Sequence, residues 1–118
     1  MKLNYITFMV RDIEKTIRFY TEYAGLKVVR RFNPGMGEIA FMADKEGDTE
    51  LEFIHFDNAQ KVQTIGMTMS FKVEDRLEEL HDRLSADGYE VSDIINQPPK
   101  PAHFTVKDPD GTDVEFGL

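Results

Sequence analysis

The sequence contains no cysteine among its 118 residues. This absence excludes disulfide bonds, thiolate metal sites and cysteine nucleophiles, and it is consistent with the cytoplasmic location that we predict. Positive charge is also scarce, because 14 Lys and Arg stand against 22 Asp and Glu, for a formal net charge of −8. Since nucleic-acid phosphates are bound by clustered Lys and Arg, we expect no nucleic-acid partner.

Long hydrophobic runs are missing as well. No apolar stretch approaches the roughly 20 residues of a membrane-spanning helix, and the N-terminal residues lack the apolar core and cleavage site of a secretory signal. We therefore expect no membrane partner. A hydrophobic content of 41%, with nine Phe, supports a real core, and 31% charged residues suit a solvated surface. These proportions predict a single domain over residues 1–118.

An internal repeat organises the chain. Four pairs of like residues are each 63 positions apart: Val10 and Val73, Asp12 and Asp75, Gly25 and Gly88, Glu52 and Glu115. A repeat that occurs only twice is not typical of a solenoid and predicts two copies of one supersecondary unit. We place these units at residues 1–56 and 67–118, with a linker over 57–66. We expect a pseudo-twofold arrangement with a cleft between the units.

Each unit is predicted to have the order βαβββ, which makes the fold α+β with a mixed sheet curled around the cleft. An Asp suited to N-capping precedes each helix, at Asp12 and Asp75, and Gly25 and Gly88 stand where a left-handed C-terminal residue belongs. Apolar residues recur at helical spacing between them. The predicted strands cover 5–10, 27–32, 38–43 and 50–56, then 68–73, 90–95, 103–107 and 113–116.

Side-chain alternation along the predicted strands separates an apolar face from a polar one. The polar face carries the candidate ligand-binding residues Tyr5, Glu50, Thr68, Ser70 and Asp113, and the candidate catalytic residues Glu52 and Glu115. A mixed sheet with one solvated face would show the same alternation, so the polar face is interpreted either as solvated surface or as a ligand cleft. The equivalent positions of Glu52 and Glu115 in the repeat favour the cleft.

Three segments carry a family resemblance. They are V-x-D-I-x-x-T-I-x-F-Y over residues 10–20, G-L-K-V over 25–28, and D-P-D-G-T-D-V-E-F over 108–116. Together they resemble the vicinal oxygen chelate superfamily, which includes glyoxalase I, extradiol dioxygenases, and fosfomycin- and bleomycin-resistance proteins. The resemblance covers essentially the whole chain. It implies metal binding by Glu115 and its first-unit counterpart Glu52, and it implies a homodimer.

The family's other two metal ligands, often His, fall on Tyr5 and Thr68 in this sequence. Two carboxylates with a phenol and a hydroxyl suit first-row divalent metals poorly, because these metals favour imidazole. We therefore predict weak metal binding and leave the cofactor open. Of the three histidines, His55 should face away from the cleft and His81 should be solvated. His103 is a candidate ligand-binding residue whose orientation the pattern leaves open.

Two functions are consistent with these residues. The first is glyoxalase-like, lactoylglutathione-lyase-type chemistry on a small carbonyl compound, with Glu52 or Glu115 moving the proton. The second is non-catalytic binding of a cationic or aromatic small molecule, as in the bleomycin-resistance branch. Whether the protein is an enzyme stays open at this point. If the carboxylates share a cleft, repulsion and desolvation should raise the pKa of at least one of them.

Overall fold

Seven strands and two helices make up the protein in a computed structural model that describes all 118 residues. The first half contains β1 (Tyr5–Met9), α1 (Ile13–Glu22), β2 (Lys27–Phe32), β3 (Gly37–Ala43) and β4 (Glu50–Phe56). The second half contains β5 (Thr68–Lys72), α2 (Leu77–Ala86), β6 (His103–Lys107) and β7 (Asp113–Gly117). The predicted α+β class is confirmed. No helix is long and apolar enough to cross a membrane.

The chain divides into two compact units, unit 1 over residues 1–62 and unit 2 over residues 63–118. Unit 1 has a four-stranded mixed sheet in the order β1-β4-β3-β2, in which only the β1–β4 pair is parallel. Residues after β4 still belong to this unit, because Val62 N–H donates to the Met9 carbonyl at 2.7 Å. Unit 1 thus has the predicted order βαβββ.

Helix α1 begins and ends as its sequence predicts. The Asp12 carboxylate accepts a hydrogen bond from Lys15 N–H at 3.1 Å and satisfies one unpaired donor of the first turn. Gly25 follows the helix with φ +69°, a conformation in which glycine carries no Cβ penalty. The buried face of the helix presents Tyr20, whose ring stacks on Phe53 of β4 at 5.0 Å between centroids. This contact fixes which face of the unit 1 sheet is the core face.

Unit 2 has a three-stranded sheet in the order β5-β7-β6, again with one parallel pair, β5–β7. The segment predicted as a strand over residues 90–95 lies beside β6 but makes only isolated bridges, Val91 with Val106 and Ile95 with His103. Between them, the Ser92 hydroxyl accepts the Thr105 N–H at 2.9 Å. A side chain therefore replaces a backbone acceptor, and the ladder is interrupted there.

The start of α2 differs from the prediction. Its N-cap is Arg76 rather than Asp75, with φ +59°, and no side chain caps the helix. The prediction was wrong because the helix begins at Leu77, one residue later than the repeat implied, so that Asp75 lies outside the cap position. The other end matches the prediction, since Gly88 has φ +92°.

Candidate functional site

The two glutamates related by the repeat have the same local setting in their own units. Parallel pairing of β1 with β4 places Thr7 opposite Glu52, and pairing of β5 with β7 places Ser70 opposite Glu115. The Thr7 hydroxyl donates to Glu52 Oε1 at 2.5 Å, and the Ser70 hydroxyl donates to Glu115 Oε2 at 2.7 Å. Thr7 and Ser70 are themselves 63 residues apart. The repeat therefore encodes a hydroxyl–carboxylate pair in each unit.

A cavity of about 350 Å³ in unit 2, which we call the unit 2 pocket, surrounds Glu115. Lys100 forms an ion pair with this carboxylate, with Nζ 2.6 Å from Glu115 Oε1. Only 13% of the Glu115 side chain is exposed, against 57% of the Lys100 side chain. The polar side chains that line the pocket are Ser70, Lys72, Lys100, His103 and Glu115. The pocket thus joins a carboxylate to cationic and hydroxyl donors.

The orientation of His103 is settled by strand pairing. His103 lies opposite Gly117 on the antiparallel β6–β7 ladder, and therefore shares a face with Glu115 and lines the same pocket. Its Nδ1 lies 2.9 Å from the Pro101 carbonyl oxygen, which only accepts hydrogen bonds, so Nδ1 carries the proton. Nε2 is left as the nitrogen available to a ligand.

The pKa of Glu115 is lowered, not raised. The hydrogen bond from Lys100 is the largest influence and lowers the pKa of Glu115 below its ordinary value of 4.5, with a further lowering by Ser70. Partial burial raises the pKa but is outweighed. The sequence did not indicate this lowering, because Lys100 follows a run of prolines in a loop, where the sequence carries no sign of a contact with β7. Glu115 is therefore a stable carboxylate at neutral pH.

We expect Glu115→Gln to destabilise the fold at neutral pH. Because the folded-state pKa is lowered, ionised Glu115 contributes stability that is present above its ordinary pKa and is lost as the pH falls through the lowered one. Water screens the half-exposed Lys100, so the loss should be about 1 kcal/mol at pH 7. The difference from wild type should vanish in acid. Urea unfolding at both pH values measures it, with the turn variant Glu46→Gln as control, and a variant more stable than wild type at pH 7 would contradict it.

On the face of unit 1 that carries Glu52, aromatic rings surround an ion pair. Arg30 makes two hydrogen bonds to Glu50, at 2.9 and 3.2 Å, and its guanidinium lies 4.1 Å from the Phe41 ring centroid. Tyr5 meets the same Phe41 ring edge-on at 5.4 Å. Sequence reasoning missed Arg30, because an irregularity between Val28 and Arg30 shifts the β2 register and breaks simple alternation.

Other predicted site residues lie outside the unit 2 pocket. Asp113 pairs with Lys107 at 2.5 Å and lines a separate cavity of about 180 Å³, while Thr68 is exposed opposite Asp113. His55 faces away from Glu52, as predicted, with Nδ1 at 3.1 Å from the Val10 carbonyl oxygen.

His81 was predicted to be solvated, and this prediction was wrong. Its Nε2 lies 2.9 Å from the Ser92 carbonyl oxygen, and its ring meets Phe104 edge-on at 5.1 Å between centroids. The imidazole therefore joins α2 to the irregular segment beside β6. This role is structural, and the helical spacing of apolar residues did not reveal it because His81 falls one position beyond the apolar stripe.

The residues present do not fit a resident divalent metal. No group of three or more His, Asp or Glu side chains is arranged to hold a metal ion. Both oxygens of Glu115 already accept hydrogen bonds, one of them from an ammonium that would repel a metal cation. Tyr5 and Thr68 supply only neutral oxygens at the remaining family positions. The donor set instead suits hydrogen bonding to an organic ligand.

Comparisons with known proteins agree with this fold. A family model described as the Glyoxalase/Bleomycin resistance protein/Dioxygenase superfamily matches residues 2–116. A search of curated proteins finds no match. Among solved structures, the trypanothione-dependent glyoxalase I of Leishmania major is 24% identical with a TM-score of 0.79, covering 99% of this chain and 86% of that one.

Two further solved structures are similar over nearly their whole length. TnmS3, an antibiotic binding protein from Streptomyces sp. CB03234, is 21% identical with a TM-score of 0.76, covering 99% of this chain and 94% of its own. A glyoxylase/bleomycin resistance protein/dioxygenase domain from Frankia sp. EAN1pec is 22% identical with a TM-score of 0.78, covering 100% and 97%. At these identities the likeness shows the fold alone.

Proposed function

Because this chain belongs to the glyoxalase/bleomycin resistance protein/dioxygenase superfamily, we propose that it is a metal-independent protein that binds a small molecule in the unit 2 pocket and releases it unchanged. The family by itself does not choose between catalysis and binding. TnmS3 is an antibiotic binding protein, whereas the Leishmania major relative is a glyoxalase I. The choice rests on the chemistry of the pocket.

The observation that carries this proposal is the engagement of both Glu115 oxygens. A general base works best when its pKa lies near the operating pH. Lys100 and Ser70 hold the pKa of Glu115 below its ordinary value instead. A carboxylate in this state takes up a proton poorly at neutral pH, and the Lys100 ammonium beside it would repel a metal cation. It is suited to holding Lys100 and Ser70 in place beside a ligand.

A second candidate is glyoxalase-like isomerisation of a small carbonyl compound, with Glu52 as the base. It is favoured by one difference between the units. Glu52 accepts a hydrogen bond only from the neutral Thr7 hydroxyl and has no cationic partner, whereas Glu115 is paired with Lys100. In this candidate the catalytic residue is Glu52, the unit 1 counterpart of the motif residue Glu115.

Turnover of the hemithioacetal of methylglyoxal and glutathione separates the two candidates. We expect no rate above the uncatalysed reaction, whether or not nickel, zinc or manganese is added. Isothermal titration with the same metals should show only weak binding. Wild-type protein is compared with Glu52→Gln and Glu115→Gln. Turnover that Glu52→Gln abolishes and Glu115→Gln retains would overturn the binding proposal in favour of the second candidate.

The assembly is part of the same proposal. We propose that the two units form one glyoxalase-like domain over residues 1–118, that two chains form a homodimer, and that the protein works in the cytoplasm. Exposed apolar side chains along the edge strand β2, Val28 and Val29, support a homodimer. Sedimentation equilibrium should give twice the chain mass of 13.6 kDa, and a monomer at all concentrations would contradict it.

A further inference from the structure

The unit 2 pocket is lined by two lysines, although unit 2 as a whole is acidic. Residues 63–118 contain five Lys and Arg against twelve Asp and Glu. Two of those five cations, Lys72 and Lys100, line the pocket, where Glu115 is the only one of the twelve carboxylates. Positive charge is therefore concentrated in this pocket, although unit 2 as a whole is negatively charged and would repel an anion.

Lys72 is the uncompensated charge in this pocket. It lies at the end of β5, opposite Gly117, on the same sheet face as Ser70 and Glu115. Its ammonium makes no ion pair and no hydrogen bond within the chain, whereas every other polar side chain lining the pocket has a hydrogen-bond partner. A lysine with three free donors at a concave polar surface is suited to an acceptor from outside.

Lys100 adds donors without adding net charge. One of its three N–H groups serves Glu115, which the lowered pKa keeps ionised at neutral pH, and the other two are available. The charges of Lys100 and Glu115 offset one another, so among the side chains of the pocket the charge left over is that of Lys72. The Lys72 ammonium can pair with one negative charge on a ligand.

We propose that the unit 2 pocket binds the carboxylate of a small, singly charged organic acid, through Lys72 and Lys100. This rests on the proposed function, since it names the ligand class of the same pocket. Phe71 and Leu118 supply apolar surface for the body of the ligand. The volume of about 350 Å³ lies at the small end of ligand pockets. The expectation of a cationic ligand is thereby replaced, because a cation would meet two ammonium groups.

Backbone amide NMR titration with benzoate and with benzylammonium tests the inference, because the two probes share a ring and differ in charge. Benzoate should shift the amides of residues 70–72, 100, 102–103 and 115–117, and benzylammonium should not. Lys72→Met and Lys100→Met should each weaken benzoate binding by about tenfold. Both lysines are exposed, so the variants should keep the wild-type spectrum away from the pocket.

Lys107→Met is the matched control. Lys107 lies on the same sheet face and pairs with Asp113, but it lines a different cavity. Benzoate affinity should be unchanged in this variant. Equal losses in Lys107→Met and Lys72→Met would show a general charge effect and overturn the inference. So would stronger binding of benzylammonium than of benzoate, or no shift at the pocket amides with either probe.

Inorganic phosphate separates a carboxylate site from a general anion site. Near pH 8 phosphate is mostly doubly charged, and its second charge would lie uncompensated near Glu115, so it should bind more weakly than benzoate. Tighter phosphate binding would overturn the carboxylate assignment. These outcomes can be distinguished from a failure of the proposed function. Catalytic turnover together with benzoate binding that is lost in Lys72→Met would contradict only the proposal that the protein is not catalytic. A preference for benzylammonium without turnover would contradict only the proposal of a carboxylate ligand.

Discussion

Replacing Gly37 with alanine should lower the free energy of unfolding by about 4 kcal/mol or more, which places it among the exceptional single substitutions. Gly37 has φ +140°, a backbone conformation that side-chain-bearing residues rarely adopt. A Cβ at this position would lie 2.0 Å from the His55 carbonyl oxygen and 3.1 Å from its carbon. Because these are backbone atoms of the neighbouring strand, relief requires the strands to separate.

The affected ladder also positions the unit 1 carboxylate. Gly37 pairs with Phe56 at one end of the β3–β4 ladder, which further along places Phe41 opposite Glu52. Gly35→Ala is the control, since Gly35 also has a positive φ, +110°, but a Cβ added to it would meet no atom within 4 Å. It should cost about 1 kcal/mol for backbone strain alone. Urea denaturation measures both variants, and equal losses would refute the role of the strand contact.

Phe53→Ala should cost about 4 kcal/mol, the range measured for removing a buried aromatic ring. Phe53 is 1% exposed, and its ring contacts Tyr20 at 5.0 Å and Phe8 at 5.6 Å between centroids. Removal leaves a cavity between α1 and the sheet that rigid neighbouring strands fill poorly. Because Phe53 and Glu52 point to opposite faces of β4, the same ring also anchors the strand that presents Glu52.

Phe32→Ala is the matched control for this second substitution. Phe32 is the same residue type on the same sheet, but it is 47% exposed on the edge strand β2. Its removal should cost about 1 kcal/mol or less. Chemical denaturation of the three proteins, with equal slopes in urea, gives the comparison. Losses of similar size in the two variants would mean that the core of unit 1 does not rest on the Tyr20–Phe53 contact.

The contact of Lys100 with Glu115 argues against the metal binding or proton transfer that the D-P-D-G motif suggests for this glutamate. The D-P-D-G turn and strand β7 present Glu115 as the family pattern requires. The ammonium at 2.6 Å then keeps the carboxylate ionised and takes up one of its oxygens. A carboxylate that would otherwise hold a metal or take a proton becomes the anchor of a cationic donor. This contact is the reason that we propose an anionic ligand for the unit 2 pocket.

Much of this architecture follows from the sequence by itself. Strand alternation has a period of two and the sequence repeats after 63 residues, so the sheet face that packs against α1, the equivalence of Glu52 and Glu115, and the βαβββ order could be predicted. The N-cap at Asp12 and the left-handed Gly25 are encoded within a few neighbouring residues. Patterns of this kind depend on backbone geometry, which is the same in every strand and helix.

The tertiary structure alone decided the partners of the charged groups. Lys100 reaches Glu115 from a loop 15 residues away, Arg30 reaches Glu50 only after an irregularity in β2, and Ser92 interrupts the ladder beside β6 with its own hydroxyl. None of these contacts follows a period, because a long flexible side chain takes whatever partner the path of the loop brings within reach. A pKa depends on that partner, so the sign of the shift at Glu115 could not be read from local pattern.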